Sequence, residues 1–538
     1  MSRVLAIFLD GFEQVLGQRL MAAGEMPEMS RLAASSSRFL LDHGPAQRTG
    51  LAGEHFASGL APDAAQRWNT IHFDPQSYAV WQQGAQSPPF VANLNCRTVV
   101  FDVPHFDLNA APRVNGLVNW GLHDPGVAAG SRPAELMAEL CARFGDYPAD
   151  PWIYGIPWPS AEASREMGRA LTRAIDVRAE AACWLLSERL PDWDLALVGL
   201  GEPHSACEGL WHGVDPSHPL HHLPASGAAG ASIRAVYQAI DRLIGKLTNR
   251  FADAQFVVFT MGGMGGNQSD VPSMLLLPEL MYRHAFGSPW FTQPARWRSH
   301  DGRSPVLLSD TERWDHGVAE GFPESRARKV ARRVLPRSIK ALIHAALDRS
   351  AAAREQSQSS PERLSLDWMP ATEYRRFWRA MSVFGLPSYN DGRLRVNLVG
   401  RESSGTVEAA NYRTVLEETE HVIRACIDPA TGESVVDGIE FPALSDPYAM
   451  TPSQSDLTVA WKGSPLGFVH PSLGRIGPVP YRRTGGHTGR YGMAYLRADC
   501  CAAGDRGVRS SFDVVPMLIE LVGQPKPRAI SGTSLLQR

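Results

Sequence analysis

Residues Phe256-Val-Val-Phe-Thr-Met-Gly-Gly-Met-Gly-Gly266 read as a buried strand that runs straight into a glycine turn. Two other stretches have the same form. Val4 to Leu9 is continuously apolar and stops at Asp10-Gly11, and Asp194-Leu-Ala-Leu-Val-Gly-Leu200 stops just before Glu202 and His204. Helical patterns separate these runs, at 13–34, at 160–190 with its many Ala, Arg and Glu, and at 231–251. Strands alternating with helices predict an α/β fold with a mostly parallel central sheet and helices on both faces. Ligands in such sheets bind beyond the carboxyl ends of the strands, which is where Asp10, Glu202, His204 and the glycine turn fall.

The chain has 538 residues, 44% hydrophobic and 20% charged, with a formal net charge of −3. This is ordinary globular composition, and the charge gives no reason to expect nucleic acid or an anionic membrane as partner. No stretch approaches the ~18 apolar residues of a membrane span. Met1-Ser-Arg-Val-Leu-Ala-Ile-Phe-Leu-Asp10 holds too short an apolar run for a secretory signal. Seven scattered cysteines without a Cys-x-x-Cys indicate neither a disulfide framework nor a zinc ribbon. The expectation is a soluble, cytoplasmic protein.

Composition changes after about residue 323. Residues 325–354 are basic and helical in pattern, and the Ser/Gln/Ala tract at 350–361 reads as an exposed linker. Asp391-Gly392 precedes an alternating strand at 393–399, and 413–427 makes an acidic helix. A strand at 491–497 and a helix at 511–522 return the chain to its sheet. The expected organisation is a core at 1–266 and 481–538, interrupted by a large insertion or cap at 267–480.

Residues able to carry chemistry gather near the strand ends. Asp10 reads either as a turn cap or as a ligand. Thr49 precedes Leu51-Ala-Gly-Glu-His-Phe-Ala-Ser58, a possible helix. At its N-terminus the hydroxyl would serve as a plain cap or help bind phosphate. The densest cluster is Gly201-Glu-Pro-His-Ser-Ala-Cys-Glu-Gly-Leu-Trp-His212, followed by Asp215, His218, His221 and His222. His204 and Glu208 stand four apart, so on a helix both project from one face. With a third donor they make a two-nitrogen, one-oxygen set of the kind that binds zinc with an open position. Cys207 reads as a thiolate ligand or as a buried inert thiol. His487 lies in the loop Arg483-Thr-Gly-Gly-His-Thr-Gly489.

Taken together, Leu9-Asp10-Gly11, Thr49 ten residues before Gly59, Glu202 to His212, Thr260 to Gly265 and Gly486-His487 resemble the type I phosphodiesterase/nucleotide pyrophosphatase branch of the alkaline phosphatase superfamily. Phe512-Asp-Val-Val-Pro516 with Leu521-Val-Gly523, and the stretches Gly400-Arg401-Glu402 and Asp428-Pro-Ala-Thr-Gly432, extend the similarity over nearly the whole chain. The resemblance implies an alkaline phosphatase-like fold. It makes Asp10 a metal ligand and Thr49 the nucleophile. His204 and Glu208 stand where the family has the Asp and His of a second metal site, completed by His487. Asn69, in Trp68-Asn69-Thr70, takes the place of an asparagine that hydrogen-bonds a phosphoryl oxygen.

The chain departs from the family at Met261 and Gly262, which replace an Asp-His pair of metal ligands. A thioether and a hydrogen cannot substitute for a carboxylate and an imidazole around a divalent cation. The Asp10 site therefore keeps two of four ligands, and one divalent metal, zinc, is expected at His204, Glu208 and His487. The expected function is a metal-dependent phosphoesterase-like hydrolase or group transferase with Thr49 as nucleophile. Its substrate would be a small phosphate ester, diester or nucleotide-like molecule. The alternative is a pseudoenzyme that binds a phosphorylated ligand or a protein partner without turnover. Glu202, His212 and His218 receive no role from the sequence.

Overall fold

The computed structural model describes residues 3–537 apart from 122–126, 154–159, 268, 298–304, 310–311, 324–362 and 443–445. The basic stretch at 325–354 and the linker tract at 350–361 lie outside the described residues. The chain forms two compact units. The first comprises Met1–Trp68, Ala85–Asn267 and Arg483–Arg538, and the second Asn69–Gly84 and Gln268–Arg482.

The first unit is built on strands β1 (Val4–Leu9), β2 (Ser37–Asp42), β3 (Thr98–Phe101), β4 (Asn115–Val118), β5 (Gly130–Arg132), β6 (Leu195–Leu200), β7 (Gln255–Thr260), β8 (Gly263–Gly266), β9 (Gly485–Gly489), β10 (Tyr491–Arg497) and β11 (Gly504–Ser510). Nine of them form one sheet in the order β11-β2-β10-β7-β1-β6-β3-β4-β5, while β8 and β9 make a separate ribbon. Only β10 and β5 run antiparallel to the rest of the large sheet. This is the expected mostly parallel sheet. Its central strands are continuously apolar because both faces are covered. In β1, Leu5, Ile7 and Leu9 enter one core cluster, while Val4, Ala6 and Phe8 enter another on the opposite face.

The helices that bear on function are α1 (Gln14–Ala22), α2 (Pro27–Ala34), α3 (Ala52–Ser58), α4 (Ala161–Trp184), α5 (Glu202–Leu210) and α6 (Ser226–Arg250). The helical pattern at 13–34 is realised as two helices, because Gly24 takes a left-handed φ of 76° and Pro27 restarts the chain. Ser160 caps α4 by accepting the Ala163 N–H at 3.1 Å.

In the second unit the hairpin Ile71–Asp74/Ala79–Gln83 pairs with Arg363–Leu364. A four-stranded antiparallel sheet runs in the order Val383–Leu386, Gly392–Val396, Leu457–Trp461, Val436–Glu440. These extra strands fit an insertion on the α/β sheet. Residues 69–84, sequentially inside the stretch 1–266, fold with this unit because Ile71, Phe73, Tyr78 and Val80 bury their side chains in its core. Among the described residues, no helix is long and apolar enough to cross a membrane.

Glu202 acquires a role beneath the sheet edge. Arg178 of α4 reaches Asp102 Oδ2 at 2.8 Å and Glu202 Oε1 at 3.0 Å, with all three side chains fully buried. Asp102 also accepts the N–H groups of Trp120 and Gly121 at 2.9 and 3.0 Å, and Tyr147 donates to Glu202 at 3.2 Å. One guanidinium thus ties the end of β3 to the first turn of α5. Removing it would leave two carboxylates desolvated and unpaired. Arg178→Ala is expected to lower stability by about 3–5 kcal/mol, read as a shift in urea midpoint. A midpoint equal to wild type would mean that the network does not hold the fold.

Candidate metal centre

Helix α5 starts one residue after Gly201 at the carboxyl end of β6 and carries His204 and Glu208 on one face. The register of β1 and β6 (Leu9 opposite Leu200) and the Asp10 N–H bond to the Leu200 carbonyl at 2.9 Å bring Asp10 to the same edge. Gly11 makes the approach possible. Its φ is +66°, and a Cβ there would stand 2.6 Å from the His204 Cα.

The third donor arrives on the glycine ribbon. Strand β9 pairs antiparallel with β8, Gly265 opposite Gly486, and so lays His487 beside α5. A Cβ on Gly485 would meet the Cys207 carbonyl oxygen at 2.1 Å, so only glycine permits this contact. Thr484 fastens the loop. Its N–H and Oγ1 both donate to the Glu208 carbonyl, at 2.9 and 3.1 Å, and its Oγ1 accepts the Trp211 N–H. His218 donates through Nε2 to the Thr484 carbonyl at 2.9 Å while its Nδ1 accepts the Leu220 N–H, so it is a neutral loop clamp. Burial pushes His218 down to about 4. His212 is fully buried, and burial followed by the neighbouring His218 likewise keeps it neutral, at about 4.

His204 is the hinge of the cluster. Its Nδ1 lies 3.1 Å from Asp10 Oδ2, and its Nε2 lies 3.2 Å from Glu208 Oε1 and 3.1 Å from His487 Nε2. His204, Glu208 and His487 offer ligand atoms that all fall within 4.8 Å of one another. Tetrahedral zinc with bonds near 2.0–2.1 Å separates its ligand atoms by ~3.3 Å, close to the two spacings at His204 Nε2. The donor set therefore fits a divalent metal. Asp10 meets the other nitrogen of His204 and stands outside that set, where a carboxylate fixes ring orientation and tautomer.

Arg483 is the residue that the sequence reading missed. Its Nη1 donates to Glu208 Oε1, the oxygen that also faces His204. It opens the quoted loop of His487, but no spacing rule signals a contact made across 275 positions of chain. The electrostatics follow from these contacts. Burial alone would depress His204, but Glu208 and Asp10 outweigh it and lift the imidazole to about 10. Burial likewise would raise Glu208, yet Arg483 and His204 hold it well below the usual carboxylate range. Burial and the charge on His204 push His487 down to about 4, so its ring is neutral.

The other expected residues lie as follows. Thr49 ends a 3₁₀ turn (Gly44–Thr49), separated from α3 by Gly50 in the left-handed region, so Leu51 and not Thr49 occupies the cap position. Its Oγ1 donates to the Ala46 carbonyl at 2.7 Å and accepts the Leu51 N–H at 3.2 Å. Gln47 of the same turn donates to the Gly489 carbonyl, two residues beyond His487. A Cβ added to Gly262 would find the Gln47 side chain 3.5 Å away, and Met261 is buried in the core. Asn69 belongs to the second unit, where its Oδ1 accepts the Ile71 N–H at 2.9 Å. Cys207 points into the core, 3.8 Å from Tyr237 Oη, and burial raises its thiol far above the range of a thiolate ligand.

No protein-family model matches the chain, and no curated protein matches it. Among solved structures it is similar to phosphonoacetate hydrolase from Sinorhizobium meliloti 1021 in complex with phosphonoformate, with 12% identity, a TM-score of 0.46 and coverage of 97% of this chain and 95% of that one. It is similar also to murine ectonucleotide pyrophosphatase/phosphodiesterase 5 in complex with AMP, with 9% identity, a TM-score of 0.45 and coverage of 98% and 96%.

Because metal-free His204 keeps both protons until about pH 10, a cation entering at Nε2 must displace one. Metal uptake at neutral pH is expected to release about one proton, and apparent affinity to rise roughly tenfold per pH unit until His204 deprotonates. Calorimetry of zinc binding in buffers of different ionisation heat measures the release. Uptake without proton release would place the metal elsewhere.

Proposed function

We propose that the chain is a one-metal phosphoesterase-like enzyme, a hydrolase or group transferase acting on a small phosphorylated or nucleotide-like substrate. The observation that carries this reading is the three-donor set of His204, Glu208 and His487 at the carboxyl edge of a parallel sheet. It supports the family resemblance residue by residue at those positions, with Asp10 changed from ligand to the carboxylate behind His204. A single metal is favoured because the second site's ligand pair is replaced by a buried thioether and a glycine covered by Gln47. A divalent cation bound by the three donors would act as a Lewis acid toward a phosphoryl oxygen.

The remaining chemistry belongs to the protein. Thr49 is the proposed nucleophile, and the Leu51 N–H directed at its Oγ1 would stabilise the alkoxide formed when the hydroxyl proton passes to solvent. Arg483 supplies a fixed positive charge beside the donors, suited to the charge of a phosphoryl group.

One observation favours the second reading, a binding protein without turnover. Glu208 is already paired with doubly protonated His204 and with Arg483, so its carboxylate has cationic partners without a metal.

Metal content separates the two readings. Mass spectrometry of the purified chain is expected to find one divalent metal per chain, and His487→Ala to release it and lower the melting temperature through lost ligand stabilisation. Two metals at full occupancy, or none with turnover intact, would overturn the one-metal enzyme. Thr49→Ala is expected to cut turnover of a chromogenic phosphodiester by at least ~10³ while leaving metal content unchanged. Wild-type rates in that variant would mean that water or another group attacks.

A further inference from the structure

Cys500 and Cys501 stand side by side in the turn that joins β10 to β11, and their sulfurs lie 3.7 Å apart. The pair is open to solvent, with Cys500 exposed and Cys501 half-buried. Of the remaining cysteines, Cys207 and Cys426 are buried, and among the described residues no other two are hydrogen-bonded to each other.

The turn holds both thiols in place before any ligand arrives. The Cys501 N–H closes it on the Ala498 carbonyl at 3.0 Å. The Ala502 carbonyl then accepts Ser37 Oγ at 2.7 Å and Arg506 Nη2 at 2.8 Å, and the Gly504 N–H donates to the Ser36 carbonyl at 3.0 Å. These bonds tie the turn to the start of β2. Strand β10 reaches it at Arg497, opposite Phe256 at the beginning of β7. The pair therefore sits at the amino edge of the parallel strands, the opposite edge from His204, Glu208 and His487.

Two neighbouring thiols can close into a disulfide, hold a metal cation, or chelate a centre that takes two sulfurs. The backbone disfavours the first. A trans peptide sets consecutive Cα atoms ~3.8 Å apart, whereas disulfides usually span ~4.4–6.8 Å. Burial, and after it the hydrogen bond with Cys500, also pushes the Cys501 thiol up to about 11, so the thiolate needed for exchange is scarce. Zinc asks for about four donors. The pair supplies two, and the three-donor group found among the described residues lies at the other edge of the sheet. A trivalent arsenic that already carries one carbon has two valences left, and two soft sulfur donors fill them.

We propose that Cys500 and Cys501 form a dithiol site for a trivalent organoarsenical. When an arsenoxide binds, its arsenic–oxygen double bond breaks and two arsenic–sulfur bonds form. The two thiol protons leave with that oxygen as water. Arsenic stays trivalent and both sulfurs stay reduced, so the exchange needs no oxidant.

Phenylarsine oxide added to the reduced, desalted full chain is the probe. Native mass spectrometry should show one phenylarsenic group per chain with loss of one water, and thiol titration should show two of the seven cysteines blocked. Dithiothreitol should release the group, whereas 2-mercaptoethanol at the same thiol concentration should not. Attachment at two points is stronger than attachment at one by ~10²–10⁴, so Cys500→Ser and Cys501→Ser should each weaken binding at least ~100-fold. The triple variant Cys96→Ser/Cys141→Ser/Cys183→Ser should bind as wild type does. Circular dichroism melts check that each variant is folded. Failure of the reduced wild-type chain to bind would overturn the proposal, as would full retention of the probe by either single serine variant. A Cys500–Cys501 disulfide formed in air would overturn the choice of ligand and make the pair a redox site.

Discussion

A Cβ on Gly485 would stand 2.1 Å from the Cys207 carbonyl oxygen, and one on Gly11 would stand 2.6 Å from the His204 Cα. At both places backbone touches α5 with no side chain between. The arrangement of the candidate centre depends on these two contacts. The first lets the β8–β9 ribbon set His487 against His204, and the second lets the end of β1 set Asp10 behind it. A helix that already bears His204 and Glu208 one turn apart thus gains a third donor and a supporting carboxylate. Both additions arrive on backbone, from opposite ends of the chain.

The same helix is secured from below by buried charge. Arg178 joins Asp102 to Glu202 at the first turn of α5, while Thr484 closes on the Glu208 carbonyl at the other end. Buried ion pairs add little net stability over apolar packing, but they define geometry sharply, because every unpaired alternative is costly. This suits a helix whose two ends must stay in register with a sheet edge and a separate ribbon. Of the residues without an assigned role in the sequence, Glu202 and His218 are therefore structural members of the centre, one under the helix and one over the loop.

Electrostatics give the cluster two ways to exist. In one, His204 bridges Asp10 and Glu208 as an imidazolium and Arg483 pairs with Glu208. In the other, a cation bound by the proposed donors would replace the Nε2 proton, and the Asp10 contact would hold the ring in position. Arg483 holds the same Glu208 carboxylate that would serve as a donor, so a bound cation would share that carboxylate with the guanidinium.

The sheet was legible in the sequence because its evidence is local. Val4–Leu9, Leu195–Leu200 and the run from Phe256 to Phe259 are apolar without alternation, which is what burial on both faces of a parallel sheet demands, and each ends at a polar or glycine position. The His204–Glu208 pair was legible for the same reason, since helical spacing alone puts both on one face. Thr49 shows where local reading ends. A hydroxyl before a helix suggested a cap, but the left-handed Gly50 displaces the helix start to Ala52. The place of Asp10 behind His204 and the contact of Arg483 with Glu208 lay wholly in the tertiary structure. Which nitrogen of His204 meets Asp10, which oxygen of Glu208 meets Arg483, and which helix faces solvent are settled by contacts between segments hundreds of residues apart. No periodicity within one segment carries that information.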